Sequence, residues 1–222
     1  MIFVNEPYVS EFFKRTAKDN SIPIVGTEIA KKIDLYNGTK IIGEDEAIEI
    51  VRKTNNPIMY MTSENSIDWI TKHLAFSDLP EKIKFFKDKL KFRELTKSIF
   101  PNFIFKEVRV ENLKKIQFNE LPLPFIIKPT VGFFSMGVYK VSNFEEWGTV
   151  IDSIIAEIDQ TKDLYPEEVL DTSSFIIEQC ITGEEFAVDA YYNSIGEPVI
   201  LGIFRHTFSS DEDVSDRVYT TS

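Results

Sequence analysis

The amino-acid sequence predicts a mixed α/β fold: an open α/β domain in front and an α+β segment behind it. Three observations carry this prediction. Over residues 1 to about 88, strand-like and helix-like stretches alternate, as a parallel sheet with helical crossovers requires. From Phe103 to Ile177 the order changes to strand, helix, strand, strand, helix, strand. Within that second part, residues 124–141 read as an apolar strand carrying a lysine, a glycine-bounded loop and a returning strand.

Taken in order, residues 2–4 form a first strand, 10–18 a helix and 22–25 a second strand. Residues 40–43 are a short strand, 44–53 a helix, 57–61 a strand and 63–74 a helix. Glu44, Asp45 and Glu46 fall in a first helical turn, where the helix dipole favours negative charge, so they read as capping rather than as a metal site. His73 lies inside a helix and reads as a packing or surface residue. Residues 1–88 are therefore expected to be a Rossmann-like domain, although they carry no glycine fingerprint. Beyond Leu79-Pro80, residues 81–87 and 88–98 read as two helices broken near Asp88-Lys89. A strand at 103–108 and a short helix at 111–116 follow. The helix at 143–159 is capped by Asn143, with Glu146 three residues on. Residues 175–177 are the last strand of this part. Gly183 then turns the chain into a strand whose alternation puts Glu185 on one face and Phe186 on the other. A hairpin turn at 193–198 leads to a strand at 199–204 that carries Arg205 and His206 at its end. The acidic run Asp211, Glu212, Asp213 and Asp216 reads as a solvated loop or helix start.

Composition narrows the function classes. With 222 residues, 43% of them hydrophobic and 27% charged, the chain has room for one large domain or two small ones. Its 19 phenylalanines are expected to fill the core. A net charge of −11 argues against a nucleic-acid partner, whose phosphates require Lys and Arg in excess. The single cysteine, Cys180, cannot form an intramolecular disulfide and reads as a small buried hydrophobe. Residues 1–4 lack a basic leader, and no apolar run approaches the ~20 residues of a membrane span. A cytoplasmic protein without a membrane partner is expected.

The hairpin at 124–141 holds the chemistry. Pro129 cannot donate to a ladder, so pairing should stop there and leave Lys128 at a strand end. The six residues from Gly132 to Gly137 can turn backbone N–H groups toward an anion, and a cation beside a nest of amides suits a polyphosphate. A Walker loop is excluded because Gly137 is followed by Val138-Tyr139 and a strand, not by Lys-Ser/Thr and a helix. A dinucleotide fingerprint is excluded because the loop's two glycines are separated by Phe133 and Phe134.

This arrangement resembles the lid of the ATP-grasp enzymes, especially the carbamoyl-phosphate synthase-like and biotin carboxylase-like members. The resemblance divides the chain into a pre-ATP-grasp domain (1–88), the start of the ATP-grasp core (89–102), the lid (103–177) and an adenine hinge with an incomplete C-terminal subdomain (178–222). It implies that Lys89 and Lys128 neutralise the triphosphate of ATP, while the loop of Gly132, Ser135, Met136, Gly137 and Val138 closes over it. It further implies that the backbone of Glu178, Gln179, Cys180 and Ile181 holds adenine and that Glu185 holds ribose, with Glu184 its register neighbour. Arg205 and His206 become candidate contacts for phosphate or substrate. No residue is assigned a catalytic role. Phe133 and Phe134 depart from glycine-richer versions of the loop and limit its flexibility.

For the complete protein, the resemblance implies ATP-dependent ligation of a carboxylate or bicarbonate to an amine through an acyl phosphate, with a homodimer as a candidate assembly. The Mg2+ ligands of the family are expected beyond Ser222, so catalysis by this chain alone is not expected. The alternative is a non-catalytic nucleotide-binding or assembly module.

Overall fold

Four short apolar segments become one parallel sheet: β1 (Ile2–Phe3), β2 (Ile24–Val25), β3 (Ile41–Ile42) and β4 (Tyr60–Met61), in the order β3-β2-β1-β4. The ladder is shorter than the expected stretches. Pro23, for example, has no N–H to give and contributes only its carbonyl, which accepts from Ile2 N at 2.9 Å. Alternate residues of the strands feed two apolar clusters, one containing Ile2, Val4 and Ile24 and the other Phe3, Val25 and Ile42. Helix α1 (Glu11–Asp19) gives Ala17 to the first, and α2 (Glu44–Lys53) gives Ala47 to the second. The sheet is thus covered on both faces, as a parallel sheet must be. Ser10 caps α1 by accepting from Phe13 N at 3.1 Å. The expected helix at 63–74 is a 3-10 turn, Glu64–Ser66, followed by α3 (Ile67–His73).

The structure is a computed structural model that describes residues 1–54, 57–116, 121–132, 136–161, 170–210 and 218–221. The chain divides into two units, Met1–Glu81 with Ala190–Ile200 and Lys82–Asp189 with Leu201–Ser222. Helix α4 (Leu79–Lys87) gives way at Asp88 to α5 (Lys89–Thr96). An antiparallel sheet in the order β5-β8-β6-β7 then assembles from β5 (Phe105–Arg109), β6 (Phe125–Val131), β7 (Tyr139–Val141) and β8 (Asp171–Gln179). The short helix expected after β5 is a 3-10 turn, Val110–Lys115. Helix α6 (Trp147–Thr161) lays Trp147, Val150, Ile151 and Ile154 onto Phe125, Ile127, Phe175 and Ile177. Asn143 accepts from Glu145 N and Glu146 N, and Glu146 returns a carboxylate oxygen to Ser142 N at 2.9 Å.

Two expectations about this sheet are corrected. Pairing with β7 ends at Ile127↔Tyr139, but β6 runs on through Pro129 to Val131 along β8, with an irregularity between Pro129 and Val131. Proline removes a donor from one side of the strand only, so Lys128 lies within the strand and not at its end. β8 is also three times the expected length, because β5 and β6 flank it on both sides.

A third sheet, in the order β11-β10-β9, contains β9 (Phe186–Tyr192), β10 (Pro198–His206) and β11 (Tyr219–Thr220). The turn between β9 and β10 places Gly196 at φ +81°, where a glycine avoids the Cβ penalty. The acidic run 211–217, including Asp211, Glu212, Asp213 and Asp216, lies outside the described residues. The phenylalanines do not act uniformly as core. Phe3, Phe125 and Phe175 are buried, whereas Phe12 is 81% exposed and Phe86, Phe100 and Phe186 are exposed too. Phe12, Phe86 and Phe186 lie on α1, α4 and β9, and the faces that carry them have no covering layer. Among the described residues no helix is long and apolar enough to cross a membrane.

Candidate functional site

The site grows from one helix start and two adjacent strands. Asp88 caps α5, its carboxylate accepting from Leu90 N at 3.0 Å and Lys91 N at 3.2 Å. The cap fixes where α5 begins and so places Lys89 and Arg93 four apart on one helix face. Lys89 Nζ donates to the carbonyl of Gly132 at 3.2 Å, and Arg93 Nε donates to Glu178 Oε2 at 2.7 Å. The Arg93 guanidinium also lies 4.2 Å from the Phe103 ring centroid.

On β6, Lys128 is paired in register with Ile176 of β8, while Ile126 is paired with Glu178. Lys128 and Glu178 are therefore diagonal neighbours on one face, and Lys128 Nζ forms an ion pair with Glu178 Oε1. Glu178 is only 5% exposed, and its two cationic partners are 20% exposed. Burial pushes its carboxyl up, but the bonds from Arg93 and Lys128 outweigh burial and hold it below the usual glutamate value. One carboxylate thus gathers two cations, with Lys89 on the same helix face as one of them.

Of the predicted loop, Gly132, Met136, Gly137 and Val138 are described, whereas Phe133, Phe134 and Ser135 lie outside the described residues. Gly137 sits at φ +67°, and a Cβ there would come within 2.9 Å of Pro129 Cγ, so a side chain is excluded twice over. Its N–H donates to Glu157 Oε2 of α6 at 3.1 Å, and Tyr139 Oη donates to the same oxygen at 2.9 Å. An amide expected to face a ligand anion thus meets the protein's own carboxylate. Burial and the bond to Glu157 push the Tyr139 phenol up to about 12.

The predicted adenine hinge is tied into the sheet. Gln179 N donates to Ile104 O at 3.0 Å, Ile104 N donates to Gln179 Oε1 at 3.0 Å, and Cys180 N donates to Pro124 O at 3.2 Å. Cys180 is half-buried and Ile181 is exposed. Farther along, His206 is buried, with Nδ1 2.8 Å from Glu185 Oε1 and its ring stacked 4.6 Å from Tyr219. Arg205 instead pairs with Glu184, both well exposed. The two adjacent glutamates therefore have different partners.

Lys89, Lys128 and Glu178 are brought together by α5, β6 and β8, while Glu185 and His206 form a second group. Sequence reasoning missed Arg93 and Glu157. The four-residue spacing from Lys89 was a usable signal for Arg93; Glu157 has no local signal, because its partners lie on a distant hairpin. Among the described residues no three His, Cys, Asp or Glu side chains gather in a way that suits a metal ion. The donor set at Lys89, Arg93 and Lys128 suits an anionic polyphosphate instead.

Residues 121–222 match the ATP-grasp domain family. No curated protein matches the sequence significantly. Among solved structures, the chain is similar to an L-amino acid ligase from Bacillus licheniformis at 18% identity and a TM-score of 0.64, covering 98% of this chain and 55% of that one. It is similar to a biotin carboxylase-beta-gamma-ATP complex from Campylobacter jejuni at 15% identity and a TM-score of 0.56, covering 94% of this chain and 51% of that one. An N5-carboxyaminoimidazole ribonucleotide synthetase from Thermotoga maritima shares 15% identity at a TM-score of 0.55, covering 92% of this chain and 52% of that one. The chain thus spans about half the length of each of these three structures. The fold is mixed α/β, as in these structures, and residues 121–222 of the chain carry the match to the ATP-grasp domain.

Proposed function

We propose that this chain forms the ATP-binding portion of an ATP-grasp ligase that joins a carboxylate or bicarbonate to an amine. The observation that carries the reading is the cation cluster. Lys128 and Arg93 converge on one buried carboxylate, and Lys89 reaches Gly132 from the same helix face as Arg93. Two cations against one anion leave positive charge close to Gly132, which draws a polyphosphate.

On this reading Lys89 and Lys128 meet the triphosphate, the segment Met136 to Val138 lies over it, the backbone of Glu178 to Ile181 holds adenine, and Glu185 holds ribose. Arg205 and His206 stand at the phosphate or substrate side. In the reaction, a carboxylate oxygen attacks the γ-phosphorus, and the bond to the β-bridging oxygen breaks with its electrons leaving on ADP. The amine nitrogen then attacks the acyl carbon, phosphate departs with the C–O electron pair, and the amine proton passes to solvent. The protein's cations would offset charge on the transferring group. Among the described residues no three His, Cys, Asp or Glu side chains gather in a way that suits a magnesium ion, and the part of this chain is the nucleotide grip.

Calorimetric titration with ATP, with and without magnesium, tests the reading. Wild type is expected to bind at micromolar Kd, on the order of −8 kcal/mol, and Lys128→Ala to weaken binding at least tenfold. A folded wild type that binds no ATP overturns it.

A further inference from the structure

Lys128, the residue on which the proposed ATP site most depends, is already held by Glu178. A polyphosphate that draws Lys128 away would, with no other partner present, leave a carboxylate of 5% exposure ionised in the sheet. Arg93 is the second partner. Its Nε lies 2.7 Å from the other carboxylate oxygen, and its guanidinium is braced over Phe103, just before the residue whose backbone pairs with Gln179.

We infer that Arg93 is a positioning residue that lets Lys128 exchange between Glu178 and a nucleotide phosphate, by keeping the Glu178 carboxylate neutralised on its opposite oxygen. This rests on the ATP-binding reading above. The geometry has the parts such an exchange needs. The two cations occupy different oxygens of one carboxylate, so departure of one leaves the other bond intact. They also come from different elements, α5 and β6, so Lys128 can move without displacing Arg93. Because Arg93 shares its helix face with Lys89, the helix that supplies one phosphate contact also steadies the carboxylate that governs the other.

The test is an ATP titration by calorimetry of wild type, Lys128→Ala, Arg93→Lys, Arg93→Met and the double variant Arg93→Met/Glu178→Gln, with circular dichroism and thermal melts to establish folding. Arg93→Met is expected to weaken ATP binding at least tenfold, because Lys128 becomes the one counter-ion left to Glu178 among the described residues and stays there. Arg93→Lys is expected to lose less. The double variant is expected to recover most of the affinity, since a neutral amide no longer detains Lys128; a merely structural role for Arg93 would show no such rescue. If wild type binds ATP and Arg93→Met binds as tightly, or the double variant binds no better than Arg93→Met, this inference falls while the ATP-binding reading stands. If folded wild type binds no ATP, both fall.

Discussion

Strands β8 and β10 are built from similar apolar residues and end in opposite environments. In β8 every residue from Ser174 to Glu178 is buried, whereas in β10 Ile200, Leu201 and Ile203 are 61%, 71% and 55% exposed. The difference lies in what covers them. The sheet containing β8 receives Val150, Ile151 and Ile154 from α6 and Leu113 from the 3-10 turn after β5. Strand hydrophobicity therefore states a capacity for burial, and a second layer decides whether it is used. Charges follow the same division. Glu178, enclosed in the covered sheet, has two cations, while the exposed Arg205–Glu184 pair is of the kind that contributes about 0–1 kcal/mol.

The largest expected effect is in the covered sheet. Phe175→Ala should cost about 3–5 kcal/mol in urea unfolding, because the ring is 1% exposed among α6 and β6 side chains and a cavity would remain. A loss below about 1 kcal/mol would mean that this sheet is no better packed than the β9–β11 sheet. Next comes the buried charge. Since the folded carboxyl of Glu178 is held below its ordinary value, its contribution is present above the ordinary glutamate range and is lost as pH falls through the lower folded value. Wild type should thus melt above Glu178→Gln at neutral pH, with the gap closing in acid; a gap that is constant with pH would deny the ion pairs their role. The smallest effect is expected at Leu201→Lys, within about 0.5 kcal/mol, because the side chain is mostly in water. A large loss there would reveal a covering layer over β10.

Much of the fold was legible in the sequence where neighbours in the chain decide the outcome. The bounds of α2 at Glu44–Lys53 and the break at Asp88 before Lys89 were both expected, because acidic first turns and Asp caps act within three residues. Pro129 was misread because its missing N–H constrains only one edge, and which edge faced β7 depended on the sheet order. The length of β8 was underestimated because its outer residues, Asp171 to Ser173, gain strand geometry from the flanking strands and not from apolar character. At the candidate site Lys89, Lys128 and Glu178 were all singled out, but the ion pairs among them were not. Nor was the contact of Gly137 N–H with Glu157, since a helix carboxylate 20 positions away has no signature near the loop.

By itself the sequence determined the alternation of strands and helices, the helix caps, the acidic balance and the placing of Lys128 on an apolar strand ahead of Gly132 and Gly137. Each of these depends on residues a few positions apart or on composition. Only the tertiary structure decided that Arg93 meets Glu178 across 85 positions, that Lys128 is committed to the same carboxylate, and which of two apolar strands would be buried. The reason is physical: a carboxylate enclosed in a sheet must find its counter-ions among whatever side chains the packing brings to it, and that meeting is a property of the assembled layers.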